Sequence, residues 1–190
     1  LMLFELLLKL FELLLMLAHR GPLGSCRGRS PLRRPQVFDS ACQRYFGSYR
    51  PPPDLAGWLL NIAVLTETLP LAFTVSDPSI AGFPLIFVNE KFCEVTGYSK
   101  EDSYGRNCRF LQGPQTEASA VREMVVSIRT ATPATVRVTN YRKDGTLFDN
   151  LVCLRPVHDS NGVYRFCIGM QYVLTESVAM ATELSAFRQM

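Results

Sequence analysis

The reactive chemistry available to this 190-residue chain centres on Cys108, within the run Gly105-Arg106-Asn107-Cys108-Arg109-Phe110-Leu111-Gln112-Gly113-Pro114. Its sulfur is soft and polarisable, able to form and release a covalent bond where serine or alanine could not. Around it, Asn107 and Gln112 offer amides with a donor and an acceptor end, and Arg109 offers a guanidinium that can grip two oxygens at once. The set suits a planar ligand with polar edges. Further amides follow at Asn140, Asn150 and Gln171. Asn150, Val152 and Leu154 alternate onto one strand face, so an amide buried there needs a polar partner. Cys167, Gly169 and Gln171 alternate in the same way. Taken singly, a cysteine is more often a buried structural residue. A lone asparagine is more often a turn or edge group, and a glutamine on an edge strand is usually just solvated.

These groups must be positioned by the elements that the pattern predicts. Strand signals cover 71–76 and 84–89, separated by breaks at Asp77-Pro78 and Gly82. Helical stretches at 91–96 and 100–104 close on Gly97 and Gly105. Residues 116–130 carry apolar side chains at 121, 124, 125 and 128, which predicts a helix of about four turns. Three strand runs follow at 134–142, 147–156 and 164–174. They are joined at Lys143-Asp144-Gly145 and Asp159-Ser160-Asn161-Gly162, both hairpin-turn sequences. Two strands, several short helices and three more strands predict an α+β domain with a five-stranded antiparallel sheet. Such a fold implies no function by itself.

Several separated motifs resemble the LOV (light-oxygen-voltage) branch of the PAS superfamily, flavin-binding blue-light receptors. Besides the decapeptide they are Phe87-Val88-Asn89-Glu90-Lys91-Phe92, Thr96-Gly97-Tyr98-Ser99, Asn140-Tyr141-Arg142-Lys143-Asp144-Gly145, Asn150-Leu151 and Gly169-Met170-Gln171, in register over residues 71–174. The resemblance implies a PAS-like sheet with short helices cradling a flavin. It implies that blue light drives Cys108 to add reversibly to flavin carbon C4a while nitrogen N5 is protonated. Gln171 would face N5 and O4 and relay the change to the sheet by turning its amide over. By the same resemblance Asn140 and Asn150 bond the pyrimidine edge, Asn107 and Gln112 touch the ribityl chain and ring edge, and Arg109 binds the phosphate. Thr74 and Ser76 would lie beside the ring. Phe92, Leu111, Leu154 and Ile168 would form apolar walls, with Gly169 on the same strand as Gln171; for each wall residue alone, plain core packing is an equal alternative.

FMN is the implied cofactor, because the loop from Leu111 to Thr116 lacks the insertion that accommodates adenine in FAD-binding relatives. One departure concerns the phosphate: phototropin-like members often place a second arginine where this chain has Val125. Riboflavin is therefore an alternative ligand. Cys167 also departs, standing where members often carry a large aromatic.

The flanks read differently. Residues 1–20 are mostly apolar, with Glu5, Lys9, Glu12 and Met16 at helical spacing, which predicts a lopsided amphipathic helix for an interface or partner, neither a secretory signal nor a bilayer span. Residues 21–53, rich in Arg, Pro, Gly and Ser and ending in Pro51-Pro52-Pro53, predict a linker. At 54–70 a flanking helix is expected, capped by Asp54, with Leu55, Trp58, Leu59, Ile62 and Leu65 toward the core. Residues 175–190 predict a C-terminal flanking helix, with Val178, Ala181, Leu184 and Phe187 three apart. The net charge of +3 hides an asymmetry: residues 19–50 hold seven arginines against Asp39.

Six cysteines without a CxxC pair or Cys/His cluster argue against a metal site and a disulfide framework, and for a reducing, intracellular and cytoplasmic setting. Apolar insertion plus an arginine-rich arm leaves contact with a membrane surface open for residues 1–50. A homodimer through the flanking helices explains the same stripe. Nucleic acid is disfavoured, since the arm lacks interleaved aromatics or a recognition helix. No kinase, basic-zipper or channel motif is present, so an effector would be another domain or protein, or the flanking helices themselves. An enzyme is disfavoured as well: the chain has two histidines, no Gly-rich dinucleotide loop after a strand and no nucleophile-base pairing. The competing function is a light-independent PAS module that binds a ligand or partner, which would purify colourless.

Overall fold

The computed structural model describes residues 36–174. The helices expected at 1–20 and 175–190, and the arginine-rich stretch up to residue 35, lie outside the described residues. Five strands form one sheet: β1 (Ala72–Ser76), β2 (Leu85–Val88), β3 (Ala134–Tyr141), β4 (Leu147–His158) and β5 (Tyr164–Val173). All pairings are antiparallel, in the order β2-β1-β5-β4-β3. Consecutive hairpins build β3-β4-β5, and β5 then docks on β1. The last strand is thus central, and Gln171 does not sit on an edge.

Alternation gives the sheet two apolar faces. Phe73, Val75, Phe166, Ile168 and Met170 point to one, where they pack with Cys42, Phe46, Leu59 and Ile62. These last four come from two helices, α1 (Gln36–Phe46) and α2 (Ala56–Thr66). The other face receives α3 (Glu90–Thr96), α4 (Lys100–Ser103), a 3-10 turn over Cys108–Leu111 and α5 (Ala118–Thr130).

Helix α1 corrects the expected linker over 21–53. Phe46 is only 1% exposed, and its ring meets Phe87 and Tyr49 edge-on. Burying one such side chain stabilises by roughly 1.5–3 kcal/mol, enough to recruit a segment whose average composition is polar. Two expectations for the next helix also change. Asp54 does not cap α2; the amides of Leu55 and Ala56 instead donate to Pro52 O at 3.0 and 2.9 Å. Asp54 lies 3.4 Å from Arg165 as an ion pair. Leu65 is 54% exposed, because the buried stripe runs through Leu59, Ile62, Ala63 and Thr66 at helical spacing.

Asn89 joins the layers. Its Oδ1 accepts from the amides of Phe73 (2.9 Å) and Phe92 (3.0 Å), and its Nδ2 donates to Thr66 O and Leu71 O, both at 2.9 Å. The end of α2, the start of β1 and the N-terminus of α3 therefore share one fully satisfied buried amide. Ser99 and Asp102 form a reciprocal capping box on α4, setting the approach to the Cys108 segment.

Candidate functional site

Between the sheet and the short helices lies a cavity with about 580 Å³ of empty space, its open mouth included. Three strands supply its floor, each through alternate residues: Thr74 and Ser76 from β1, Val152 and Leu154 from β4, Cys167, Gly169 and Gln171 from β5. Register explains the grouping, since Thr74 faces Gly169, Ser76 faces Cys167, Val152 faces Gln171 and Leu154 faces Gly169. Cys108, Leu111 and Gln112 enter from the 3-10 turn, and Val138 and Asn140 from β3.

The polar edge is a chain of amides. Asn150 Nδ2 donates to Asn140 Oδ1 at 2.9 Å and to Gln171 Oε1 at 3.1 Å, all three residues being buried. Asn140 Nδ2 donates in turn to Leu111 O at 3.2 Å. Asn150 Oδ1 has no hydrogen-bond partner. An acceptor left bare in the interior costs about 1–3 kcal/mol, which a ligand N–H beside it would recover. At Gly169 the floor has no room for a side chain: a Cβ would fall 2.6 Å from Thr74 Oγ1, which donates to Gly169 O at 3.2 Å. A flat ring can lie there where a Cβ would intrude.

Cys108 caps this space. Burial is the main cause that pushes its thiol pKa up, opposed by the Cys108 backbone amide and by Arg109. The sulfur is therefore protonated at neutral pH. Burial likewise raises the Cys167 thiol, to about 11. Two neutral thiols thus line one cavity.

Five expected residues are not brought to this lining. Ile168 points to the opposite face, packed with Phe73 and Met170, because a strand that sends Cys167 and Gly169 inward must send Ile168 outward. Phe92 is buried with Leu85, Val88 and Leu111, beside the cavity and not on its wall. Asn107 caps the 3-10 turn through Oδ1, which accepts from the Arg109 amide at 3.0 Å, while its Nδ2 donates to Gly82 O at 2.7 Å. Arg109 is exposed outside the lining. Asn150 is not itself a lining residue, but it is bonded to two that are. Conversely Phe83, Met124, Ile128 and Val138 line the cavity without having been picked out as site residues. Met124 and Ile128 are four apart on α5, the spacing that signals one buried face. Phe83 follows Gly82 with a positive φ of 56°, and no local pattern points it inward.

The cavity thus pairs an amide edge, backed by the bare acceptor of Asn150, with a mostly apolar wall. A flavin ring matches it, having a polar pyrimidine edge with an N–H and an apolar benzenoid end.

Comparison with known proteins agrees. The PAS domain family matches residues 70–174, more than half the chain. Phototropin-1A of Oryza sativa subsp. japonica is 38% identical over 119 residues, 63% of this chain and 13% of the relative. Blue-light-activated histidine kinase 1 of Erythrobacter litoralis is 39% identical over 114 residues, 60% of this chain and 32% of the relative. The chain therefore spans a third or less of these relatives' lengths. Among solved structures, a light-oxygen-voltage domain studied with a flavin analogue has TM-score 0.61 at 32% identity, covering 68% of this chain and 96% of that one. The LOV domain of the Erythrobacter litoralis EL346 kinase has TM-score 0.55 at 38% identity, covering 57% and 99%. The shared fold, a thiol and amides lining one cavity, and these relatives place the chain in the light-oxygen-voltage branch of the PAS domain family, a branch of blue-light sensors.

Proposed function

We propose that this chain is a blue-light photoreceptor module that holds FMN in the cavity and answers light through Cys108. The observation that carries the reading is the convergence of that thiol with the Asn140–Asn150–Gln171 amide chain on one cavity, with Asn150 Oδ1 unpartnered. FMN, when bound, would supply a photoexcitable ring to which the Cys108 sulfur could bond reversibly. Every other part belongs to the protein. Cys108 brings a neutral thiol, so sulfur and proton arrive together. Asn140 and Asn150 orient the pyrimidine edge, and Gln112 meets the ring from the 3-10 turn. Gln171, on the central strand, holds an amide that can present either its N–H or its C=O, so protonation at ring N5 becomes a changed bond in the sheet. Thr74, Ser76, Leu111, Leu154 and Gly169 shape the space and exclude water. Arg109, exposed and outside the lining, is the group for a phosphate, and riboflavin is the alternative ligand.

The reaction consumes no substrate, so the module is a sensor and not an enzyme. Its sensory core is residues 71–174, and its output passes through flanking helices to an effector, with a homodimer or a membrane surface met by residues 1–50 as the two candidate partners. No helix among the described residues is long and apolar enough to cross a membrane. The test is an absorption spectrum before and after blue illumination. The parent protein should be yellow, bleach, and recover in darkness; Cys108→Ala should keep the colour and lose the adduct. A colourless protein, or an adduct surviving in Cys108→Ala, refutes the reading.

A further inference from the structure

Two tyrosine hydroxyls join α1 and the residues just after it to segments adjoining the cavity lining. Tyr104 immediately precedes Gly105, the first residue of the Cys108 segment. Its hydroxyl donates to Tyr45 O, on α1, at 2.7 Å. Its ring covers the end of α1, where Gly47 takes a φ of 57° and a Cβ would sit 3.3 Å from Tyr104 Cδ2. Tyr104 and Cys108 both pack against the buried group of Leu85, Val88, Phe92 and Leu111. Between them the backbone is pinned to β2, with Leu85 N donating to Arg106 O at 2.8 Å and Gly105 N to Leu85 O at 2.9 Å. Tyr49, three residues beyond α1, donates to Asp77 Oδ2 at 2.7 Å. Asp77 is buried and follows Ser76, a lining residue. Burial raises the pKa of both tyrosines, so both hydroxyls stay protonated donors.

We propose that Tyr104 is a positioning residue that couples the Cys108 segment to α1, a route from the reactive thiol to the N-terminal flank that does not pass through Gln171. The proposal rests on the photoreceptor reading above. Three residues, paired to β2 midway, separate Tyr104 from Cys108, so a shift of the sulfur is passed along stiff backbone to the Tyr104 ring. The coupling is reciprocal: a docked α1 holds the thiol as much as the thiol's state sets the docking.

The test is amide hydrogen exchange of residues 36–49 in the full chain, in darkness and under blue light, together with the adduct recovery time. In the parent, light should speed exchange there at least threefold, with no effect in Cys108→Ala; a Gln171→Leu protein that forms the adduct should respond as well. In Tyr104→Phe, dark exchange should rise toward the lit level, the light-to-dark ratio should fall below 1.5, and recovery time should change at least twofold while the adduct still forms. Tyr49→Phe is the structural control: it should loosen α1 in darkness and leave recovery time unchanged. A Tyr104→Phe protein with the parent's ratio and recovery time refutes this proposal alone, as does a Gln171→Leu protein that forms the adduct and whose α1 does not respond. Absence of any adduct in the parent removes the photoreceptor reading and this proposal with it.

Discussion

Replacing Asn150 with leucine separates what that residue does for the fold from what it does for the ligand. In the folded chain Asn150 is fully buried, donates to Asn140 at 2.9 Å and to Gln171 at 3.1 Å, and leaves Oδ1 without a partner. Losing the two donated bonds strands Asn140 Oδ1 and Gln171 Oε1 as buried acceptors, at about 1–3 kcal/mol each. Leucine, of nearly the same shape, also removes the bare acceptor, which recovers about 1–3 kcal/mol. The balance, two acceptors stranded against one removed, should destabilise the flavin-free protein by about 1–3 kcal/mol. With flavin bound the balance differs. Oδ1 now has a donor to accept from, so the variant forfeits that bond and leaves the ring N–H unpaired, about 1–3 kcal/mol or roughly 10- to 100-fold in Kd. Urea unfolding of the flavin-free protein gives the first quantity, and quenching of ring fluorescence gives the second. If the flavin-free protein instead loses more than about 3 kcal/mol while Kd is unmoved, Asn150 is a scaffold amide and the reasoning fails.

Gly169→Ala places a Cβ 2.6 Å from Thr74 Oγ1, so overpacking should cost about 1–3 kcal/mol by urea unfolding, much of it relieved by adding Thr74→Ala. A loss that is the same with and without Thr74→Ala would show the clash is not the cause. Cys167 sets an alkaline limit: its folded pKa stands near 11 against an ordinary value of 9.0, burial being the largest cause. Its contribution is full below pH 9 and declines between pH 9 and 11, because the unfolded thiol gives up a proton that the folded one keeps. Cys167→Ser should therefore flatten the fall in unfolding free energy over that window by about 1.4 kcal/mol per pH unit. Since burial also raises Cys93, Cys108 and Cys153, the measured quantity is the difference in slope between parent and variant; equal slopes would contradict the assignment.

Much of the architecture was legible before any coordinates. Period-two alternation and the Lys143-Asp144-Gly145 and Asp159-Ser160-Asn161-Gly162 turns locate β3, β4 and β5 within two residues of where they lie. Such signals are local: a few consecutive side chains decide which way a strand faces and where it must turn. The same locality carries the thiol and the amides, since Cys108, Asn140, Asn150 and Gln171 stand in short runs whose residue types already declare a polar-edged pocket. Neighbourhood in space is another matter. That β5 sits in the centre, bringing Gln171 to Asn150, depends on a docking between β1 and β5 some 90 residues apart in the chain. Ile168 could not be assigned to a wall once Cys167 and Gly169 took the inner face, yet only the assembled sheet shows which of the two sets faces the cavity. Helix α1 is the sharpest case, for its composition resembles a linker and it owes its burial to Phe87, contributed from the far side of α2 in sequence. Asn89 and Phe83 teach the same point: each owes its role to segments distant along the chain. The sequence by itself determined which segments are strands and helices and which groups can react, because those depend on residues within a turn of one another; tertiary structure alone decided which of them meet, because closing the long loops between them is repaid only by contacts that exist once the sheet is complete.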